Sequence, residues 1–273
     1  MSIKQLYQEH KGKISDKWTL YLAEFDRLFL PYQNKNVRLL EIGIQNGGSL
    51  EIWAKYFGNA KAIVGCDIDA KCGQLRYDDD RIVVIAGDAN SLDCQKRIIQ
   101  CAPQFDIIID DASHKSGDII RSFSKYFPYL DDCGLYIVED LHCSYWNDFE
   151  GGLHNPFSSI SFFKRLVDIV NYEHWRNENP RINLYKEFIK KYELELNDSI
   201  LAGIHSVEFI NSLCVIKKLT REENELGRRF IAGLEESISN GWHKLDGTFI
   251  QNIAVNIFDT EDYDCSAYQG GEL

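Results

Sequence analysis

F-D-I-I-I-D-D-A-S-H, from Phe105 to His114, is the stretch on which the fold turns. A short run that is almost entirely apolar ends in two adjacent carboxylates, a small turn and a histidine. A second run, G-L-Y-I-V-E-D from Gly134 to Asp140, ends in the same manner at Glu139 and Asp140. Runs of this length and character read as strands buried on both faces. If the two lie side by side, Asp110, Asp111, Glu139 and Asp140 meet at one edge of a sheet. So much negative charge at one point calls for a cation, a proton or a strongly polar ligand.

Working outward, strands and helices alternate. Strands are expected at V-R-L-L-E-I (37–42), A-I-V-G-C-D (62–67) and R-I-V-V-I-A (81–86), followed by the two runs above. Helices are expected from near Gly48, around 91–100 and over 116–130. The pattern predicts an α/β fold: a Rossmann-like, doubly wound, mostly parallel seven-stranded sheet. H-S-V-E-F-I-N-S-L-C-V-I-K-K supplies its last two strands as a hairpin turning near Asn211 and Ser212. In such sheets ligands bind beyond the C-terminal strand ends, where Glu41, Gly43, Asp67, Asp88, Asp110, Asp111, Glu139 and Asp140 fall.

Three further segments flank this core. Residues 1–36 form a helical extension with an apolar stripe of Trp18, Leu22, Phe25 and Phe29, packing on the main domain or on a second subunit. The core domain spans 37–220 and includes a helical, aromatic insertion at about 151–200, expected to cap the site. Residues 221–273 are expected to form a surface helix near 222–239 and a tail, available as an oligomer contact.

Composition narrows the function. With 30 basic and 42 acidic residues the chain carries a net charge of -12, which argues against nucleic acid or an anionic membrane as partner. No run reaches the roughly 18 apolar residues of a membrane span, and the N-terminus lacks the apolar stretch of a signal peptide. Eight cysteines without a C-x-x-C pair read as reduced, buried thiols, so a cytoplasmic location is expected.

The loop E-I-G-I-Q-N-G-G-S (41–49) joins a strand to a helix, with glycines at 43, 47 and 48. Its G-x-x-x-G spacing differs from the G-x-G-x-x-G of dinucleotide binders, and it lacks the lysine of a phosphate loop. The loop therefore favours a nucleoside ligand without a pyrophosphate. Asp67 is placed to accept both hydroxyls of a ribose, or else to cap the next helix. Asp88 is placed to meet an adenine amino group, or to cap in its turn.

These residues together resemble the class I S-adenosylmethionine-dependent methyltransferases. G-G-S-L-x-x-W, I-I-D-D-A-S-H and V-E-D-L-H-x-S-Y-W are similar to the metal-dependent sugar O-methyltransferases typified by the mycinamicin macrolide enzymes. Rhamnosyl O-methyltransferases and sequences named cephalosporin hydroxylases belong to the same group. The resemblance covers Val37 to Trp146 and the hairpin. It implies S-adenosylmethionine at Glu41, Gly43, Asp67 and Asp88, a site that Gly47, Ser49 and Asp110 complete. It also implies a divalent cation, usually magnesium, on Asp111, Glu139 and Asp140, with His114 as general base. His142, Tyr145 and Trp146 follow the metal pair and either shape an acceptor pocket or pack as core or lid.

The chemistry is coherent on its own terms. A sugar hydroxyl is a poor nucleophile until deprotonated, and a hard cation on neighbouring hydroxyls lowers their pKa. A neutral histidine within reach then takes the proton. The expected activity is O-methylation of a sugar hydroxyl in a glycoside natural product or surface-glycan precursor. The alternatives are a catechol-like phenol acceptor, or a noncatalytic adenosyl-binding or assembly protein on the same scaffold. Four intact residues, Asp111, His114, Glu139 and Asp140, argue against the last, because a binding module needs no base. An iron oxygenase would want two histidines and one carboxylate, which this carboxylate-rich cluster does not offer.

Overall fold

The computed structural model describes residues 1–175 and 178–250, and its chain divides into two units, Met1–Asn224 and Glu225–Leu273. The first begins with helices α1 (Ile3–Glu9) and α2 (Thr19–Phe29). A strand–helix alternation follows: β1 (Arg38–Ile42), α3 (Gly48–Tyr56), β2 (Ala62–Asp67), β3 (Ile82–Ala86), α4 (Leu92–Cys101), β4 (Phe105–Asp110), α5 (Ser116–Tyr126) and β5 (Leu130–Val138). Short helices α6 (Ser159–Lys164), α7 (Leu166–Val170), α8 (Lys186–Tyr192) and α9 (Asp198–Ala202) lead to the hairpin β6 (Ile204–Ile210) and β7 (Leu213–Lys218).

The seven strands form one sheet in the order β3-β2-β1-β4-β5-β7-β6. The first five are mutually parallel and β7 runs antiparallel to β5 and β6. This is the mostly parallel, doubly wound sheet expected from the sequence. Strand order reverses direction between β1 and β4, and at such a switch point the connections diverge and leave a crevice at the C-terminal ends. The ends of β1 and β4 hold Glu41, Gly43, Asp110 and Asp111.

Successive strand residues point to opposite faces, so each central strand feeds two cores. Leu40, Ile108 and Tyr136 pack with α4, α5 and the 159–201 helices, whereas Leu39, Ile107, Ile109 and Ile137 pack with α1, α2 and α3. At the centre of the first core, Phe123 of α5 is fully buried among the rings of Phe127, Tyr136, Phe162 and Phe163, at 4.8 to 5.6 Å between centroids. Phe123→Ala is expected to cost ~3–5 kcal/mol, read as a lower urea midpoint at an unchanged slope.

Three expectations are corrected here. Phe25 and Phe29 of the N-terminal stripe are buried, but Trp18 is 61% exposed, because it stands before α2 as its cap rather than on its packed face. Of the cysteines, 66, 72, 94, 143 and 214 are buried free thiols, whereas Cys101 and Cys133 are exposed at an element end and a bulge, and Cys265 lies outside the described residues. No helix spans 222–239; the chain there has only a short turn at Glu222–Asn224. Gly227 and Gly233 adopt φ of 76° and 97°, in the left-handed region, which breaks a right-handed helix twice. Within the second unit, Arg228 bridges to Phe249 and the Arg228 guanidinium lies 5.0 Å over that ring. The rest of the expected tail, 251–273, lies outside the described residues.

Candidate active site

The glycine loop is shaped by close approach. Gly43 has φ of 91°, and a Cβ there would lie 2.2 Å from the carbonyl oxygen of Asp111. Only glycine lets the β1 and β4 ends come this near. Asp67 Oδ2 accepts from the backbone N–H groups of Ile44 and Gln45 at 2.9 and 2.8 Å, and its Oδ1 accepts from Asp69. It thus ties the loop to the end of β2 and turns the chain that follows. Asp88 Oδ1 accepts from Asn90 N at 2.8 Å, as a local turn cap.

A cavity of about 420 Å³ opens over these strand ends. Glu41, Gly43, Ser49, Asp67, Asp88 and Asp110 all line it. Gly47 does not: its φ of 76° starts α3, and its carbonyl accepts from Tyr77 Oη at 3.0 Å. Among the described residues none from 151–200 lines this cavity. Helices α6 and α8 pack on α5, and α7 on β6, so the expected cap stands aside. The wall comes instead from the N-terminal segment Ile14 to Lys17.

The carboxylates fall into two groups that share Asp111. Glu139 and Asp140 follow the end of β5 at Val138, and Asp140 takes a left-handed φ of 50°, so the two carboxylates belong to different groups. Inward, Glu41, Asp111 and Glu139 present oxygens within 4.8 Å of one another; outward, a ring nitrogen of His114 and oxygens of Asp111 and Asp140 lie equally close. The expected trio of Asp111, Glu139 and Asp140 is therefore split across two adjoining clusters.

Lys17 fills the inward group, a residue that sequence reasoning missed. Its side chain is 3% exposed, and Nζ donates to Asp111 Oδ2 and lies 2.9 Å from Glu139 Oε1 and 3.6 Å from Glu41 Oε1. Burial alone would depress this amine, but Glu139, Asp111 and Glu41 hold its pKa well above the ordinary lysine value. Burial raises the carboxyl pKa values of Glu41 and Glu139, with Asp111 adding repulsion at both. Asp111 is raised for the same first reason and stabilised as an anion by Lys17. Glu41 Oε2 accepts from Ser49 Oγ and Trp53 Nε1, at 2.6 and 3.0 Å. The other oxygen of Glu41, and Oε1 of Glu139, make no hydrogen bond. Asp110 is fully sequestered beside Tyr136, and burial pushes its carboxyl up to about 7.

On the outward side, Asp140 Oδ1 accepts from Trp18 Nε1 at 3.0 Å and Tyr21 Oη at 2.9 Å, while its Oδ2 lies 3.8 Å from His114 Nε2. His114 follows β4 with φ of 57° and a quarter-exposed ring. His142, Tyr145 and Trp146 lie on and after a short turn beyond β5, outside the cavity wall, with Tyr145 and Trp146 exposed. Ring contacts join Trp18 to His142 (6.4 Å), His142 to Trp146 (4.9 Å), Trp146 to Phe149 (6.0 Å) and Phe149 to His114 (6.4 Å). An aromatic row thus borders the outward cluster.

No family model matches the chain. It is 34% identical over 177 residues to the 8-demethyl-8-alpha-L-rhamnosyl tetracenomycin-C 2'-O-methyltransferase of Streptomyces olivaceus, covering 61% of this chain and 46% of that one. To the mycinamicin VI 2''-O-methyltransferase of Micromonospora griseorubida it is 35% identical over 164 residues, covering 56% and 40%. The chain thus spans less than half the length of these curated relatives. Among solved structures, the MycE methyltransferase of the mycinamycin biosynthetic pathway, in complex with Mg and SAH, superposes with a TM-score of 0.67 at 26% identity, covering 82% of this chain and 56% of that one. A further complex of that enzyme, with Mg, SAH and mycinamycin VI, superposes at 0.61 and 27% identity, covering 77% and 52%. The fold is that of a Rossmann-like methyltransferase. Sugar O-methyltransferases of glycosylated natural products, the group its motifs resemble, are relatives of this chain.

Proposed function

We propose that the chain is an S-adenosylmethionine- and divalent-cation-dependent O-methyltransferase acting on a sugar hydroxyl of a glycoside natural product or surface-glycan precursor. The observation that carries this reading is the meeting of Asp111, His114 and Asp140 at the mouth of a cavity walled by the glycine loop, Asp67 and Asp88. Relatives that methylate sugars, and a similar structure holding Mg and SAH, support it.

The donor chemistry fits a hard divalent ion, since oxygen ligands dominate and Glu41 Oε1 is buried without a hydrogen bond, while Glu139 Oε1 has only the Lys17 ammonium at 2.9 Å. Asp111 and Glu139 would hold the ion from the inward cluster, with Asp140 in the adjoining outward one, and the ion would lower the pKa of neighbouring sugar hydroxyls and fix their direction. His114 is the general base: its Nε2 lies 3.8 Å from Asp140 Oδ2 on the wall of the cavity. Glu41, Gly43, Ser49, Asp67, Asp88 and Asp110 line the cavity and would form the adenosyl site, where holding donor and acceptor together would supply much of the acceleration. His142, Tyr145 and Trp146 offer an apolar wall to a sugar ring. The net charge of -12 supports a small-molecule partner over nucleic acid. Among the described residues no helix is long and apolar enough to cross a membrane. A cytoplasmic location and a homo-oligomer belong to the same reading.

Calorimetric titration with S-adenosylhomocysteine, with magnesium and then with EDTA, tests the cofactor class against NAD as control. Selective binding of S-adenosylhomocysteine is expected; binding of neither, or of NAD, overturns the assignment. Methyl transfer to a panel of glycosides and catechols then separates sugar from phenol acceptors.

A further inference from the structure

The inward cluster contains an unusual partner for a site that would take a divalent ion: the ammonium of Lys17. It approaches oxygens of Asp111, Glu139 and Glu41 together, with its side chain almost wholly withdrawn from water. One positive charge faces three carboxylates, and the nearest oxygens of Glu41 and Glu139 remain without a hydrogen bond. The ammonium balances the cluster only in part.

Lys17 sits on a strap pinned at both ends. On one side Lys13 bonds Glu51 through backbone and side chain, and the carbonyl of Ile14 accepts from Gly48 N. On the other, Trp18 Nε1 donates to Asp140 Oδ1. The segment between, Ile14 to Lys17, forms a wall of the cavity. A divalent ion needs its oxygens at roughly 2.0–2.6 Å. A cation on Asp111 and Glu139 at that range would share its ligands with Nζ, and two positive charges so close repel strongly. A long lysine stem can withdraw its head to water, and the strap then loses the contact that ties it to the cluster between its anchors.

We propose that Lys17 is a tethered internal cation that competes with the divalent ion for Asp111 and Glu139, so that ion binding releases Lys17 and loosens the strap over the cavity. This rests on the reading of the carboxylates as a metal site.

The test is Mn²⁺ titration of the full chain by calorimetry, with Lys17→Met and Lys17→Arg beside the unaltered protein. Lys17→Met is expected to bind Mn²⁺ at least about tenfold more tightly, because a competing charge is gone, while Lys17→Arg gains nothing. Equal or weaker binding by Lys17→Met overturns the competition and leaves the metal reading standing. If none of the three binds Mn²⁺, the metal reading itself falls, and this inference with it. Hydrogen exchange on the unaltered protein decides independently of how the variants fold. Amides of residues 14–18 are expected to exchange faster with Mn²⁺ than with EDTA, and unchanged or slower exchange overturns the proposal.

Discussion

His114→Ala is expected to lower turnover by about 10²–10⁴-fold, the usual contribution of a positioned general base, while S-adenosylhomocysteine binds within roughly twofold of the unaltered protein. The separation follows from where the ring sits. His114 lies on the loop after β4, with Asp140 beside it, whereas the side of the cavity proposed for the adenosyl group is built by β1, β2 and β3 ends through Gly43, Asp67 and Asp88. Its ring is quarter-exposed, so truncation leaves no large hole in the core. The backbone φ of 57° persists at a cost of about 1 kcal/mol for alanine, which a thermal melt will register as a small loss. Steady-state methyl transfer set against calorimetry reads the two effects separately. Equal turnover would remove His114 from the chemistry; lost cofactor binding would make it a structural residue of the cavity.

How far the sequence spoke depended on which force shaped each part. Strands 62–67 and 105–110 are covered on both faces, so they read as continuous apolar runs with carboxylates where burial stops. Adjacency of β4 and β5 then brought Asp110, Asp111, Glu139 and Asp140 to one edge, as their matching strand ends required. What did not show in the sequence were directions and long-range partners. Glu139 turns inward and Asp140 outward where the chain leaves β5 and Asp140 takes a left-handed φ of 50°, so two neighbouring letters became parts of two clusters. Lys17, in a polar stretch before α2, looks like any solvated lysine; the only hint was a surplus of carboxylates needing a cation. Aromatic richness in 151–200 suggested a cap, yet those rings pack with Phe123 and one another, and the short stretch 14–17 walls the cavity. The helix expected over 222–239 failed on Gly227 and Gly233, whose backbone angles outweighed a weak periodicity.

Removal of the cation has the other large expected effect. EDTA is expected to reduce methyl transfer by about 10²–10³-fold or more, since charge stabilisation worth several kcal/mol is withdrawn at ~1.36 kcal/mol per tenfold, and excess magnesium should restore it. Asp111→Asn should reproduce the loss and resist rescue, because Asp111 alone belongs to both the Glu41–Glu139 and the His114–Asp140 groups. Its neighbour provides the discriminating control. Asp110 is buried beside Tyr136, and burial pushes its carboxyl up to about 7, whereas Asp111 accepts from the Lys17 ammonium. Asp110→Asn, nearly isosteric with the protonated acid, should therefore keep its response to magnesium. If both asparagine variants lose that response alike, the effect is damage to the end of β4 rather than loss of a ligand. Activity indifferent to EDTA would sink the metal assignment outright, leaving His114 and the Lys17 ammonium to activate the hydroxyl without it.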